Sequence, residues 1–409
     1  MSSMKIHPPL LSVAEALDTL LAAASAAPLS EAVELPTLLS NRRILAADVL
    51  SGMNVPAAEN SQMDGYAVRC ADVGVHPLPV SQRIPAGKPG QPLQPGTAAR
   101  IFTGALLPAG ADAVVMQEQC EENMTPQGTT VRILHTPKPG EWVRHIGEDI
   151  GQGQHILSAG QRLRAQDIGL AASVGLATLP VKRLLKVGLF FTGDELTMPG
   201  EALPDGGVYN SNRFLLTALL ENLGCQISDY GIVPDNLTAT RETLRLAALS
   251  NDVIITSGGV SVGEEDHVRP AVQAEGQLLA WQIAVKPGKP LAFGKIGSSF
   301  FLGLPGNPVS SFITFLLFAR PFLLRLQGVQ RVTPHSYALR ADFVWAKADR
   351  RNEFVRVRLN EQGGLDLFPN QGSAVLSSTV WGDGLVDIAP GQTIQPGDLV
   401  KFIPFAEIL

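Results

Sequence analysis

Val253-Ile254-Ile255-Thr256-Ser257-Gly258-Gly259-Val260-Ser261-Val262-Gly263-Glu264-Glu265-Asp266 begins as a β-branched apolar run and ends in paired glycines and three carboxylates. A short continuous apolar run closed by turn residues reads as a buried strand. Two more segments nearby have the same form. Trp281 to Val285 runs into Lys286-Pro287-Gly288-Lys289-Pro290, and Phe300 to Leu302 runs into Gly303-Leu304-Pro305-Gly306-Asn307-Pro308-Val309-Ser310. Each loop joins tight-turn residues to hydroxyls, carboxylates or lysines. Three such loops within about sixty residues point to a site for a polyanionic small molecule.

Outward from these loops the period is strand then helix. Lys186 to Phe191 is an apolar strand, and Asn212 to Leu223 is a helix stopped by Gly224. Ile227 to Val233 is a strand, Thr238 to Leu249 a helix, and a further helix starts near Glu265. The long apolar run from Phe312 to Leu326 is interrupted by Arg320 and Pro321. It falls short of the ~20 residues a membrane span needs, so it reads as a buried helix. Strands alternating with helices predict a mostly parallel sheet covered on both faces. Ligands in such sheets bind outside the carboxyl ends of the strands, so the loops should meet at one edge.

Other regions differ in texture. Ser12-Val13-Ala14-Glu15 has the form of a capping box and predicts an amphipathic helix over 12–26. A second short helix is expected near Leu38 to Ala47. From Met53 to Val143, prolines and glycines punctuate short β-prone runs. Leu163 to Val174 is helical again, so the β-rich stretch reads as an insertion between two pieces of one domain. Beyond Gly328, short alternating strands predict a barrel or sandwich of about eighty residues.

The chain has 409 residues, which suggests two to four domains at roughly 100–200 residues each. A net charge of −6 without any long basic run argues against nucleic acid as a partner. Cys70, Cys120 and Cys225 show no Cys-x-x-Cys spacing, and a reducing cytoplasm is the expected compartment. Met1 to Leu10 has no apolar core of a signal peptide, and no membrane partner is expected.

At residue level each loop has two readings. Glu264, Glu265 and Asp266 suit the start of a helix, where they complement its dipole. They also suit a hard cation such as Mg²⁺. Lys286 and Lys289 flank a rigid turn that fits a tetrahedral oxyanion; a solvated surface turn is the alternative, and the turn's place after a strand favours the first. Asn307-Pro308 caps a helix, whose N-terminus with Ser310 is also an anion site. Neither the dinucleotide fingerprint nor the P-loop pattern occurs. Thr192-Gly193-Asp194-Glu195 and Pro234-Asp235-Asn236 place carboxylates after two further strands.

Taken together, Asn60 to Ala67, Phe102-Thr103-Gly104-Ala105, Gly147 to Ile150, Thr192 to Leu196, Ser257 to Asp266, Lys286 to Pro290, Gly303 to Ser310 and Gln371-Gly372-Ser373 resemble the MoeA/gephyrin E-domain family of molybdopterin molybdenumtransferases. The resemblance extends across nearly the whole chain. It implies a helical domain from 1–50 and 143–182, an inserted β-rich domain at 51–142, a molybdopterin-binding α/β domain at 183–328 and a β-barrel at 329–409. It also implies an elongated homodimer with a shared active site, and insertion of molybdate into adenylylated molybdopterin with Mg²⁺-dependent release of AMP. Asp64, Thr103, Asp149, Glu195, Asp235 and Asp266 fall on the family's functional positions. Glu195, Asp235 and Asp266 would face Mg²⁺. Ser257, Gly258, Gly259, Ser261, Lys286, Lys289, Pro305, Gly306, Asn307, Ser310, Arg356 and Ser373 fall where the family binds molybdopterin or molybdate. A molybdopterin adenylyltransferase and the apoenzymes that accept the finished cofactor are the implied protein partners. Gln62 and Asn210 depart from the usual residues of their motifs. Two rival readings are an adenylyltransferase acting on molybdopterin and a non-catalytic, gephyrin-like scaffold.

Overall fold

The structure is a computed structural model and describes residues 10–260, 267–288 and 290–409. Its centre is a six-stranded sheet in the order Cys225–Val233, Leu185–Thr192, Val253–Ser257, Ser299–Leu304, Pro290–Ile296, Gly276–Gln282. The first four strands are mutually parallel, and the last two pair antiparallel at one side. Successive residues of the central strands serve opposite faces. Leu189, Phe191, Ile255 and Leu302 enter one core; Phe190, Ile254 and Phe301 enter the other. Burial on both sides is what makes these strands read as continuous apolar runs rather than alternating ones.

One face is covered by the apolar helix that begins at Pro308. It does not break at Pro321. The chain stays helical to Leu326 through a wider turn at Phe315–Ala319. Pro321 has no N–H to give the Leu317 carbonyl, and the shifted ladder accommodates that loss. The Pro308–Leu326 run is apolar and long enough to cross a membrane by composition, but 83% of it is buried inside the protein, so it is a core helix. Phe322 meets Phe293 and Phe300 edge-on at 5.5 and 5.2 Å.

Ser12 caps the helix Val13–Ala26 as its sequence predicts, with Glu15 returning the bond. This helix buries Ala16, Leu20 and Ala24 against the α/β core, so this part of residues 1–50 packs with the central unit. The rest pairs with distant sequence: Ala32–Pro36 with Thr178–Lys182, and Val49–Leu50 with His155–Leu157. The helix expected near Leu38 to Ala47 is only a single 3₁₀ turn, Thr37–Leu39. Ile44 and Leu45 instead bridge to Arg162 and Val181, an extended pairing that overrides local helical propensity.

The β-rich stretch forms a six-stranded sheet running from Ala113–Met116 at one edge to Cys120–Thr125 at the other. The C-terminal strands form a curved half-barrel. Its two ends approach through one bridge, Ala341 to Leu365, around a core including Val357, Val386 and Phe402. One of its strands comes from elsewhere. The expected central strand over Trp281 to Val285 is instead two: Gly276–Gln282 stays in the central sheet, while Val285–Lys286 pairs parallel with Asn352–Leu359. The helix expected from Glu265 is described as Val268–Glu275.

Candidate active site

Four loops converge on one cleft of ≈ 1000 Å³ at the carboxyl edge of the central sheet. Ser257, Gly258, Gly259, Lys286, Pro305, Gly306, Asn307, Ser310 and Ser373 line it, with Glu195 and Asp235. The sequence-based expectation of a shared edge therefore holds for these residues. Asp266, Ser261 and Lys289 lie outside the described residues.

The glycine loop is fixed by close packing. Gly258 has φ +104°, and a Cβ there would stand 2.3 Å from the Thr192 carbonyl oxygen. Only glycine reaches that conformation and that approach without strain. Behind the loop, the Asn212 amide donates to Ser257 Oγ at 2.9 Å and to the Gly306 carbonyl at 2.7 Å. Ser257 Oγ donates in turn to the Pro305 carbonyl at 2.8 Å. One buried amide thus ties the Ser257 and Pro305–Gly306 loops together. Asn212 was not singled out as a site residue by sequence; its position just inside the helix start after Asn210 was the available signal. Asn210 itself caps the Ser211–Asn222 helix, accepting from the Arg213 N–H at 3.1 Å, so its departure from the family residue retains a capping role.

At the cleft's other wall, Thr192 Oγ1 donates to Asp235 Oδ1 at 2.9 Å. That bond fixes one oxygen of a carboxylate that lines the cleft. Glu195 is exposed close by. These two side chains are hard oxygen donors of the kind that hold Mg²⁺ alongside substrate phosphates. No cluster of three or more metal-binding side chains occurs among the described residues.

Among the described residues, both cations that line the cleft are paired. Lys286 Nζ lies 2.6 Å from Glu353 Oε1 and 3.7 Å from Asp349 Oδ2. Arg351, a lining residue absent from the sequence-based set, is held by Asp349 at 2.9 Å. The Arg351 guanidinium keeps the Asp349 carboxyl far below the usual carboxylate range. Arg356 is not among the residues lining the cleft, and its Nη1 is buried without a hydrogen-bond partner among the described residues. It is fully buried behind the cleft lining, where Nε donates to Ser378 Oγ at 3.0 Å and Nη2 to the Gly372 carbonyl at 3.2 Å. Burial pushes its guanidinium down to about 10. Its backbone and the Gln371 amide exchange two bonds, so Arg356 shapes the 371–373 loop. That loop docks on the helix start, where the Val309 N–H donates to the Ser373 carbonyl at 3.0 Å.

Asp64, Thr103 and Asp149 do not line this chain's cleft. They lie exposed on the β-rich unit and its flank. Asp64 Oδ1 accepts from both the amide and hydroxyl of Thr103 at 2.8 Å. The Thr103 amide, then its hydroxyl, hold the Asp64 carboxyl below its usual range. Gln62, the other departure, donates to the Val143 carbonyl at 3.3 Å and fastens this loop to the distant Val143–Arg144 strand.

A doubly covered α/β sheet with glycine loops, carboxylates and cations at its carboxyl edge defines a binder of phosphorylated or oxyanionic small molecules. Residues 11–175 match the MoeA N-terminal region (domain I and II), 188–325 a probable molybdopterin binding domain, and 338–405 the MoeA C-terminal region (domain IV). The chain is 40% identical to a molybdopterin molybdenumtransferase of Haemophilus influenzae over 376 residues, 90% of this chain and 92% of that one. It is 41% identical to the molybdopterin molybdenumtransferase of a Nostoc species over 71% of this chain and 69% of that one. The crystal structure of a molybdopterin biosynthesis MoeA protein from Pyrococcus horikoshii superposes with TM-score 0.84 at 26% identity, covering 97% of this chain and 100% of that one. The chain belongs to the MoeA family.

Proposed function

We propose that this protein is a molybdopterin molybdenumtransferase, inserting molybdate into adenylylated molybdopterin in the last step of molybdenum cofactor formation. The convergence of the Ser257, Lys286, Pro305 and Ser373 loops on one cleft carries the reading. Hydroxyls and cations there suit an oxyanion with two charges. The dithiolene sulfurs of the substrate attack molybdenum and its oxygen leaves as water, while hydrolysis of the phosphate linkage releases AMP. Ser310 and Ser373 offer hydroxyls to the anions, Ser257 holds the loop through its bond to the Pro305 carbonyl, and the Gly258–Gly259 backbone permits close approach. Glu195 and Asp235, with Asp266 from the sequence, would hold Mg²⁺, which when bound neutralises phosphate charge.

The domain reading that goes with this function is an α/β unit at 183–328, a β-rich insertion at 51–142, a linker unit built largely from 143–182 with the segment before residue 50, and a half-barrel at 329–409. Asp64, Thr103 and Asp149 would complete the site of a second copy in a homodimer. Their absence from this chain's own cleft lining supports that arrangement. Adenylyl transfer to molybdopterin, the rival reading, calls for a site complete within the α/β unit. The wall contributed by Arg351 and residues 371–374 disfavours it. Purified protein given adenylylated molybdopterin and Mg²⁺ should release AMP faster when molybdate is added. Pyrophosphate release from ATP and molybdopterin without molybdate stimulation would favour the rival instead.

A further inference from the structure

Glu353 is 3% exposed, and no step of the proposed reaction uses it. It stands directly opposite Lys286 in the parallel pairing of Asn352–Leu359 with Val285–Lys286. Its two carboxylate oxygens are divided: Trp345 Nε1 donates to one at 3.0 Å, and Lys286 Nζ holds the other at 2.6 Å. Trp345 is itself fixed by paired backbone bonds with Ile394. The indole therefore sets the carboxylate in place, while Lys286, with 45% of its side chain exposed, is the movable partner. Asp349, the other nearby carboxylate, is engaged by three bonds from Arg351 and reaches Lys286 at only 3.7 Å.

A buried carboxylate needs a counter-charge, and here the counter-charge is the lysine that faces the cleft. We propose that Glu353 competes with the incoming oxyanion for Lys286 and thereby sets how tightly the cleft holds it. This rests on the reading of Lys286 as an oxyanion ligand. When the anion binds, Lys286 swings from Glu353 toward it; when the anion leaves, Glu353 takes the lysine back. The fixed negative charge also repels a dianion only a side chain's length away. The alternative role is orientation, with Glu353 aiming Lys286 at the anion. The two roles have opposite consequences, because competition weakens anion binding and orientation strengthens it.

Molybdate binding by calorimetry to the intact protein separates them. Glu353→Gln keeps the side chain's shape and an oxygen acceptor for Trp345. Removing one charge a few ångströms from the anion should tighten molybdate binding by about tenfold. Unchanged or weaker binding, in a variant with wild-type circular dichroism, overturns the proposal. Lys286→Met serves as the separate control. Molybdate affinity equal to wild type in that variant would sink the underlying site reading, whereas loss of binding there together with weaker binding by Glu353→Gln sinks only the competition. If Glu353→Gln fails to fold, a crystal structure of the wild-type protein soaked in molybdate decides. Lys286 Nζ drawn more than 3.5 Å from Glu353 upholds the proposal, and a pair shorter than that overturns it.

Discussion

At the scale of single residues, the bond from Thr103 to Asp64 has a measurable electrostatic signature. Two donors from one residue favour the ionised carboxylate, so its folded-state pKa lies below the ordinary 3.8. For a depressed acid the linked stability is present above the unfolded value and is lost as pH falls through the folded one. Asp64 is therefore charged throughout the neutral and mildly acidic range. Thr103→Ala removes the hydroxyl donor and should move the Asp64 titration upward in a carbon-detected NMR experiment. An unmoved titration would show that the amide alone sustains the shift. This pair was readable as a motif, Asp64 and Thr103 in two separate strings. Their mutual contact was not, because it closes a loop of 39 residues.

At the scale of elements, the core beneath the cleft rests on the helix that starts at Pro308. Phe322 is fully buried and contacts two aromatic rings of the sheet. Phe322→Ala should cost about 3–5 kcal/mol, the usual range for emptying a buried aromatic site. Urea denaturation of the variant would measure this, and a loss under 1 kcal/mol would mean that the site collapses around the gap. Elements with a strong local signature were legible from sequence. The capping box at Ser12 and the apolar strand runs around Phe190 and Ile254 needed no distant partner to be recognised. Val285–Lys286 was not legible as a member of the C-terminal sheet, since two residues carry no periodicity and the pairing partner lies beyond residue 350. The same holds for Ile44 and Leu45, whose long-range bridges displaced an expected helix. Arg356 was found by motif, while its full burial and its bonds to the 371–373 loop are features that spacing cannot reveal.

At the scale of the whole molecule, the proposed homodimer makes a genetic prediction. Asp64→Asn and Lys286→Met should each be inactive as pure proteins. If they mark opposite halves of a shared site, mixed dimers regain one intact site, and equal co-expression restores about a quarter of wild-type turnover, as two-fold symmetry requires. No recovery would place both residues in one protomer's site. A second consequence follows from the strand Val285–Lys286 and from the Val309 to Ser373 bond. The cleft straddles a seam, with one wall in the α/β core and the other in the half-barrel. Beneath that seam the two units share one core, in which Phe354, Leu385, Ile403 and Phe405 of the half-barrel pack with the α/β residues and Phe405 meets Phe312 edge-on at 5.4 Å. Heat or denaturant that parts the two walls would expose this shared apolar surface, so turnover and the melting of the α/β core should fail together rather than in sequence.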